Sequence, residues 1–263
     1  IKYFEESLAI DKRWGRENTM AISIASIGSV YHLWGQPDKA ITHYNEALEI
    51  LKKPGRDMRK LPMLLSYIGN VYNDLGQYDK AITHYNEALE ISKKLSLVPE
   101  VASISGSIAA YYISQRQYEK ALPHLEKSGD MYRKLSDRRG LAESRNSLGS
   151  VYLQWGEYDQ ALELYESALI LAETSGMEPD IAAYRSNIGM VHYELKNYIK
   201  AIENFNASVG IYEKLRKTAT GDVRRDYFAS QIGTYELLVS SYLRNNDLPN
   251  AFSTIELSRA KLL

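Results

Sequence analysis

The sequence predicts an all-α fold, a solenoid of antiparallel helix pairs. The stretch GQPDKAITHYNEALEI at residues 35–50 recurs 41 residues later as GQYDKAITHYNEALEI at residues 76–91, with Pro37 replaced by Tyr78. Within each copy, the apolar residues recur at the three- and four-residue spacing of an amphipathic helix. A fixed period of this length is typical of stacked supersecondary units.

The repeat continues along most of the chain. A small residue within an apolar helical stretch recurs at spacings of 41, 40, 40 and 40 residues, at Gly28, Gly69, Ala109, Gly149 and Gly189. Seven residues later comes a turn, twelve later an alanine, and sixteen later a large side chain, which is Tyr44, Tyr85, Leu125, Tyr165 or Phe205. Each repeat is therefore predicted to be a first helix that a glycine at positive φ ends, a tight turn, and a second helix.

These residues carry a family resemblance. The stretch IGNVYNDLGQYDKAITHYNEAL at residues 68–89 resembles the tetratricopeptide repeat (TPR) pattern, L-G-x2-Y followed by A-x3-F. The match runs from Gly28 to about Lys214, with a longer period than the usual one of about 34 residues. This longer form resembles the arrays of kinesin light chains, cell-polarity scaffolds and bacterial signalling proteins. The resemblance implies a right-handed superhelix whose concave groove, lined by the first helices, binds an extended or helical peptide.

The repeat also predicts the domain organisation. Residues 1–263 are expected to form a single TPR solenoid. Residues 1–20 would be the second helix of a truncated repeat, and residues 221–263 a final, longer repeat. Complete repeats would occupy residues 21–60, 61–100, 101–140, 141–180 and 181–220. Because both ends fall within helical patterns, we expect the chain to be a piece of a larger protein.

The last residues carry a second resemblance. They are similar to the segment that joins bacterial TPR arrays to a caspase-like peptidase domain called CHAT, through Ala251, Phe252, Glu256, Ser258, Arg259, Ala260, Leu262 and Leu263. This resemblance implies that residues 221–263 form the junction to a C-terminal effector. The peptidase needs His and Cys, and because the chain has no Cys, the catalytic domain is not within it.

Composition narrows the class of function. The net charge of −1 gives no basis for a broad electrostatic grip on nucleic acid. The sequence contains no apolar run of the roughly 18 residues that a membrane span needs, and we expect a cytoplasmic protein. No phosphate loop, dinucleotide fingerprint or nucleophile elbow is present. We therefore expect neither enzymatic activity nor a cofactor in this chain.

The histidines do not predict a metal site. His43, His84 and His124 occupy the same place in three successive second helices, and helices pack about 8–10 Å apart. Zinc needs its nitrogen ligands at about 2 Å, so these three side chains cannot share one ion and are expected to be surface or half-buried residues. His192 takes a core position, and His32 is a candidate contact residue.

The resemblance also places certain residues on the groove. They lie three and two positions before the small residue and one, four and five positions after it. They are rich in Ser and Asn and include no Lys or Arg, so a clamp for a C-terminal carboxylate is not expected. Asn amides suit a peptide backbone because they offer a donor and an acceptor. The candidate partner-binding residues are His32, Tyr67, Asn70, Asn73, Asn146, Asn187, Tyr193 and Glu194; the alternative for each is a solvated polar surface.

Together these patterns favour a protein–protein interaction module. It would bind a peptide or protein partner and regulate or position a C-terminal effector. The alternative is a structural spacer or self-association scaffold without a groove ligand, and a third possibility is regulation by a small molecule or peptide signal. Arg145 and Arg185 stand where the family places a bulky apolar residue, and are interpreted as salt-bridge or partner contacts. Pro37 lacks the ring of Tyr78, which predicts looser packing there.

Overall fold

Helices make up the regular structure of this computed structural model, which describes the backbone of residues 1–218 and 221–262 and the side chains of residues 1–217 and 231–259. Thirteen α-helices follow one another in these described residues, with one short 3-10 helix at Met58–Lys60 and no strand. The helices are α1 Lys2–Arg13, α2 Glu17–Leu33, α3 Pro37–Leu51, α4 Leu61–Asp74, α5 Tyr78–Lys94, α6 Val98–Ser114, α7 Tyr118–Lys134, α8 Arg138–Trp155, α9 Tyr158–Ser175, α10 Glu178–Glu194, α11 Tyr198–Thr218, α12 Gly221–Arg244 and α13 Leu248–Leu262. The all-α prediction is confirmed.

The chain divides into two compact bodies. The N-terminal body is Ile1–Leu135 and the C-terminal body is Ser136–Leu263. In both, the even-numbered helices are the first helices of the repeats and the odd-numbered helices are the second. Each first helix packs on the second helix that follows it and on the second helix that precedes it within the same body. This is a stack of antiparallel helix pairs, as the sequence predicts, while the assignment of all repeats to one solenoid stays a prediction.

The helix pairs close over aromatic rings. A Cβ atom added at Gly69 would lie 2.6 Å from Cε1 of Tyr85, nearer than real Cβ contacts. Only glycine therefore lets α4 approach the ring of α5 so closely. The same close approach joins Gly28 to Tyr44, Gly149 to Tyr165 and Gly189 to Phe205. These buried rings fill the core of their hairpins, and they explain why glycine is retained within helices, where it costs about 1 kcal/mol against alanine.

In the third repeat, a different pair of residues stands at the place of the glycine and the aromatic ring. Ala109 replaces the glycine and Leu125 replaces the ring, and both side chains are almost fully buried. A leucine is thinner and shorter than a tyrosine, so it leaves room for the additional methyl group. The two substitutions together keep the hairpin closed.

The turns between the helices of a pair keep one backbone conformation. Gly35, Gly76 and Gly156 end first helices at φ of 65°, 69° and 76°, which confirms the predicted glycine turns. Arg116 and Lys196 occupy the same place in their repeats at φ of 56° and 59°. The left-handed region costs a non-glycine residue about 1–2 kcal/mol, so the hairpin geometry prevails over local preference at these two positions.

The one difference between the two copies of the doubled stretch lies at the start of a second helix. Pro37 is the first residue of α3, where no backbone N–H is needed. Tyr78 begins α5 and packs against Tyr111 of the next first helix, with ring centroids 6.2 Å apart. Pro37 has no aromatic ring for such a contact.

Candidate functional site

A pocket of about 250 Å³ opens between α2 and α4 in the N-terminal body. Buried Ala21, Leu51 and Leu64 contribute to its lining. Its other lining residues are Phe4, Ile22, Ala25, Ser26, Ser29, Val30, Leu33, Lys60, Met63 and Tyr67. The lining is mostly apolar and is concave, which are the features of a surface that binds apolar groups.

A second pocket of about 240 Å³ lies on the other side of α4, next to α6. It is lined by Met63, Ser66, Tyr67, Pro99, Glu100, Ser103 and Ile104. Met63 and Tyr67 line both pockets. The two pockets are therefore neighbours along the row of first helices, and these two side chains of α4 lie between them.

Tyr67 is held in place by the core beneath it. Its ring centroid lies 5.9 Å from that of Tyr44, with the planes inclined by 36°. Tyr44 is 1% exposed, whereas Tyr67 is half-buried and open to both pockets. A ring fixed on one face and available on the other is suited to contact a partner with little loss of side-chain entropy.

The structure brings part of the predicted groove together at these pockets. The predicted groove positions that line them are Ala25, Ser26, Ser29, Leu33, Ser66 and Tyr67. Of the candidate partner-binding residues, Tyr67 alone lines either pocket. The others lie further along their helices or in the C-terminal body.

Several residues that line the pockets were not predicted from the sequence. Ile22, Met63 and Ser103 lie six residues before the small residue of their repeats, one helical turn before the predicted positions. The four-residue step of a helix would have extended the predicted face to them. Lys60 and Glu100 precede that face, since Lys60 belongs to the 3-10 helix and Glu100 to the first turn of α6.

Asn70 has a partner within its own hairpin. The hydroxyl of Tyr85 donates a hydrogen bond to Oδ1 of Asn70 at 2.7 Å. The same position of the repeat bonds the tyrosine hydroxyl in two other hairpins, Ser29 with Tyr44 at 3.0 Å and Ser150 with Tyr165 at 3.1 Å. Burial raises the pKa of all three tyrosines, so these hydroxyls stay neutral.

The type of residue at this position of the first helix depends on the large side chain of the second helix. Where the second helix carries Leu125 or Phe205, which have no hydroxyl, the corresponding first-helix residue is Ala110 or Met190. A buried hydroxyl needs a polar partner, and an apolar side chain does not. Asn70 is therefore at least partly a structural residue, which its position on the predicted groove did not indicate.

Other candidate residues form hydrogen bonds between neighbouring first helices of the N-terminal body. Nε2 of His32 in α2 lies 2.7 Å from Oδ2 of Asp74 in α4. The hydroxyl of Ser114 in α6 donates to Oδ1 of Asn73 at 3.4 Å. The Nδ2 group of Asn73 is not used in this contact.

The C-terminal body contains similar bonds. Nδ2 of Asn187 in α10 donates to Oδ1 of Asn146 in α8 at 2.7 Å. The hydroxyl of Tyr193 lies 2.7 Å from Oγ of Ser240 in α12. Glu194, the last residue of α10, is exposed. Five of the candidate residues thus join successive first helices within a body, namely His32, Asn73, Asn146, Asn187 and Tyr193.

The two unusual arginines have partners on second helices. Arg185 donates from Nη2 to Oε1 of Glu173 at 2.7 Å, and Arg145 donates to the hydroxyl of Ser167. Both side chains are half-buried. For Arg185, a salt bridge to a neighbouring helix is the contact observed.

Two of the three histidines that share a place in successive second helices bond to a carbonyl oxygen of their own helix. Nδ1 of His43 lies 2.8 Å from the carbonyl oxygen of Lys39, and Nδ1 of His84 lies 2.8 Å from that of Lys80. Burial, followed by the nearby positive charges of Lys127 and Lys93, lowers the pKa of His124. In the described part of the chain, no group of His, Asp or Glu is arranged to hold a metal ion.

No helix within the described ranges is long and apolar enough to cross a bilayer.

The sequence profiles of the tetratricopeptide repeat family match most of the chain, at residues 1–53, 61–134, 100–174 and 146–215. The chain belongs to the tetratricopeptide repeat family. A search among curated proteins finds no significant match.

Solved structures of similar fold cover most of the chain. BtubC from P. vanneervenii has a TM-score of 0.70 at 22% identity, over 84% of this chain and 92% of that protein. A signal transduction ATPase with numerous domains from Pyrococcus horikoshii, described as having a tetratricopeptide repeat sensor, has a TM-score of 0.67 at 18% identity, over 92% of this chain. This chain spans 42% of the length of that ATPase.

A third similar structure is a Rap protein in complex with the competence and sporulation factor. Its TM-score is 0.66 at 18% identity, over 94% of this chain and 74% of that protein. At these identities the likeness establishes the fold.

Proposed function

We propose that this chain is a non-enzymatic protein-interaction module that binds a peptide or protein partner on its first-helix face. The observation that carries the proposal is the pair of adjacent apolar pockets on the two sides of Met63 and Tyr67. An apolar concave surface with polar groups at its edge is typical of binding sites. The complex of the Rap protein with the competence and sporulation factor supports a peptide or protein ligand for this fold.

Further contacts are proposed in each of the two bodies, taken separately. Tyr67 and Tyr193 would provide apolar contacts, and Asn73, Asn146 and Asn187 would bond the partner's backbone. The further contacts proposed are Asn70, His32 and Glu194. The interhelical bonds leave Nδ2 of Asn146 and Oδ1 of Asn187 outside their mutual contact, and one donor with one acceptor is what a peptide group requires.

The partner would in turn regulate or position a C-terminal effector in a cytoplasmic protein. This part of the proposal depends on the resemblance of residues 251–263 to the segment before a CHAT peptidase domain. Ala251 is buried and Phe252 is 65% exposed. The side chains of Ala260, Leu262 and Leu263 lie outside the described residues.

The test uses a phage-displayed library of random peptides as the probe, followed by affinity measurements with the selected peptides. Tyr67→Ala and the combined Asn73→Ala, Asn146→Ala and Asn187→Ala variant should each bind at least tenfold more weakly. Asn70→Ala is made together with Tyr85→Phe, so that no buried hydroxyl loses its partner.

The control variant replaces Asn45 and Asn86 by alanine. Both are exposed on second helices, and this variant should bind like the wild type. Equal affinity of the wild type and all groove variants would overturn the assignment of the binding face.

The alternative function is a structural spacer or self-association scaffold. The bond between Asn146 and Asn187 favours it, because side chains that bind one another stabilise the stack without a ligand. Sedimentation at several protein concentrations separates the two functions. Oligomers that grow with concentration and exclude every selected peptide would favour the scaffold, and a monomer that binds peptide would exclude it.

A further inference from the structure

Each of the two pockets of the N-terminal body is too small to be a site for a drug-sized molecule. At about 250 and 240 Å³, each falls below the roughly 300–1,000 Å³ of typical small-molecule sites. Each pocket is large enough for only a part of a ligand. Since the side chains of Met63 and Tyr67 lie between the pockets, a ligand that fills both would need two separate apolar parts.

The pockets differ in charge. Lys60 lines the pocket next to α2, and Glu100 lines the pocket next to α6. Among the side chains that the structure describes, neither forms a salt bridge with another. Opposite charges, one lining each pocket, would favour the opposite charges on a ligand.

The distance between the pockets limits the ligand's form. Neighbouring helices lie about 8–10 Å apart, and the pockets are separated by one helix, α4. In a polyproline II segment, residues three positions apart lie on the same side and are about 9 Å apart. An extended peptide can therefore place residues i and i+3 in the two pockets.

We propose that the occupant is an extended peptide with two apolar side chains three positions apart, one in each pocket, with an acidic residue beside Lys60 and a basic residue beside Glu100. This inference rests on the proposed peptide-binding function and specifies its ligand. Met63 and Tyr67 would set the spacing of the two apolar side chains, and the charges would set which end of the peptide lies at which pocket.

The first experiment compares the charge order of selected peptides. The random peptide library is selected against the wild type and against the Lys60→Glu/Glu100→Lys variant. Wild-type binders should carry two apolar residues three apart, with an acidic and a basic residue in one fixed order along the peptide. Binders of the exchanged variant should show the reverse order.

A matched control exchanges a pair of charges elsewhere. Glu90 and Lys94 form an exposed ion pair at 2.7 Å on α5, and Glu90→Lys/Lys94→Glu keeps both the pair and the net charge. It should select the same peptides as the wild type. Circular dichroism melting verifies that each variant is folded before selection.

The second experiment fills one pocket at a time. Ala25→Leu occupies the pocket next to α2, and Ser103→Leu occupies the pocket next to α6. Each variant should bind a selected synthetic peptide at least tenfold more weakly. The peptide residue that belongs to the filled pocket should then no longer contribute, so replacing it by alanine should not weaken binding to that variant further. The peptide residue concerned should differ between the two variants.

The outcomes separate this inference from the function on which it rests. If the library yields no binder of the wild type, the proposed function fails and the ligand fails with it. If binders are obtained that lack the two apolar residues, or keep the same charge order on the exchanged variant, this inference is overturned while peptide binding stands.

Discussion

The side-chain amide of Asn187 donates a hydrogen bond to Oδ1 of Asn146, at 2.7 Å, between two successive first helices of the C-terminal body. A net hydrogen bond of this kind stabilises by about 0.5–1.5 kcal/mol. We expect Asn146→Ala and Asn187→Ala to lower the free energy of unfolding by such an amount each, with a coupling energy of about 0.5–1 kcal/mol in a double-mutant cycle. Urea unfolding measures it. Asn187→Ala combined with Asn45→Ala should be additive, and a coupling of zero between Asn146 and Asn187 would contradict the contact.

The close approach of Gly69 to Tyr85 gives a second prediction. Gly69→Ala should destabilise by about 1–3 kcal/mol through overpacking, although alanine is the better helix former by about 1 kcal/mol. Gly69→Ala/Tyr85→Leu should recover part of that loss, because it reproduces the pair at Ala109 and Leu125. The control is Gly210→Ala in α11, where a Cβ meets nothing within 4 Å. Thermal unfolding should show that this control is neutral or stabilising; a stabilising Gly69→Ala would be inconsistent with the packing.

The bond between Tyr85 and Asn70 gives a third prediction. Asn70→Ala leaves the buried hydroxyl without its partner and should cost about 1–3 kcal/mol. Asn70→Met/Tyr85→Phe should cost less, since it reproduces the apolar pair Met190 and Phe205 of the fifth repeat. Urea unfolding of the two variants makes the comparison. If the single substitution is the milder one, the structural role assigned to Asn70 is wrong.

His124 should make stability depend on pH. Burial, and then the positive charges of Lys127 and Lys93, hold its folded-state pKa below the ordinary 6.5. The unfolded chain therefore binds the proton more readily, and stability is fully present above pH 6.5 and decreases as the pH falls below it. Replacing His124 by Leu, the residue at the same place in the fourth repeat, should reduce this decrease.

Unfolding free energies at pH 7 and pH 5 test this prediction. His192, whose pKa is also lowered by burial first, should contribute in the same direction. NMR titration of Lys127→Gln should show a higher pKa of His124 than in the wild type. An unchanged pKa would exclude the lysine as a cause.

The single difference in the doubled stretch gives a prediction about mobility. Because Pro37 has no aromatic ring, whereas Tyr78 packs against Tyr111, we expect backbone amides at residues 40–43 to exchange hydrogen faster than those at residues 81–84. Hydrogen exchange followed by mass spectrometry measures both segments in one sample. Pro37→Tyr should reduce the difference. Equal protection of the two segments in the wild type would show that the missing ring does not loosen the packing.

Much of the fold was predictable because each packing position occurs several times, once in every repeat. Comparison of five repeats identified the small residue, the turn and the large side chain, and it located the turn even at Arg116 and Lys196, where glycine is absent. The partnership of Tyr85 with Asn70 was also present in the sequence, as the change to apolar residues beside Leu125 and Phe205. The same position also fits the groove pattern of the family, which points to a partner contact and not to a bond within the hairpin.

The candidate site was less predictable for physical reasons. Whether Asn146 and Asn187 meet depends on the rotation of two helices whose bonded residues are 41 positions apart, and a helical period does not specify that rotation. The residues that line the pockets depend on how far towards its N-terminus the exposed face of each first helix extends. That is why Tyr67 was identified and Met63, one turn earlier, was not.

The glycine–ring pairs also have an evolutionary consequence. The two members of each pair are sixteen residues apart and belong to one hairpin, so a gene duplication that copies a whole hairpin copies both members together. A recombination joint in the linker between hairpins keeps every pair intact. A joint at the turn inside a hairpin can place alanine opposite tyrosine, or glycine opposite leucine, and produce a clash or a void. Arrays of this protein should therefore lengthen and shorten by whole hairpins, with viable crossovers concentrated in the linkers.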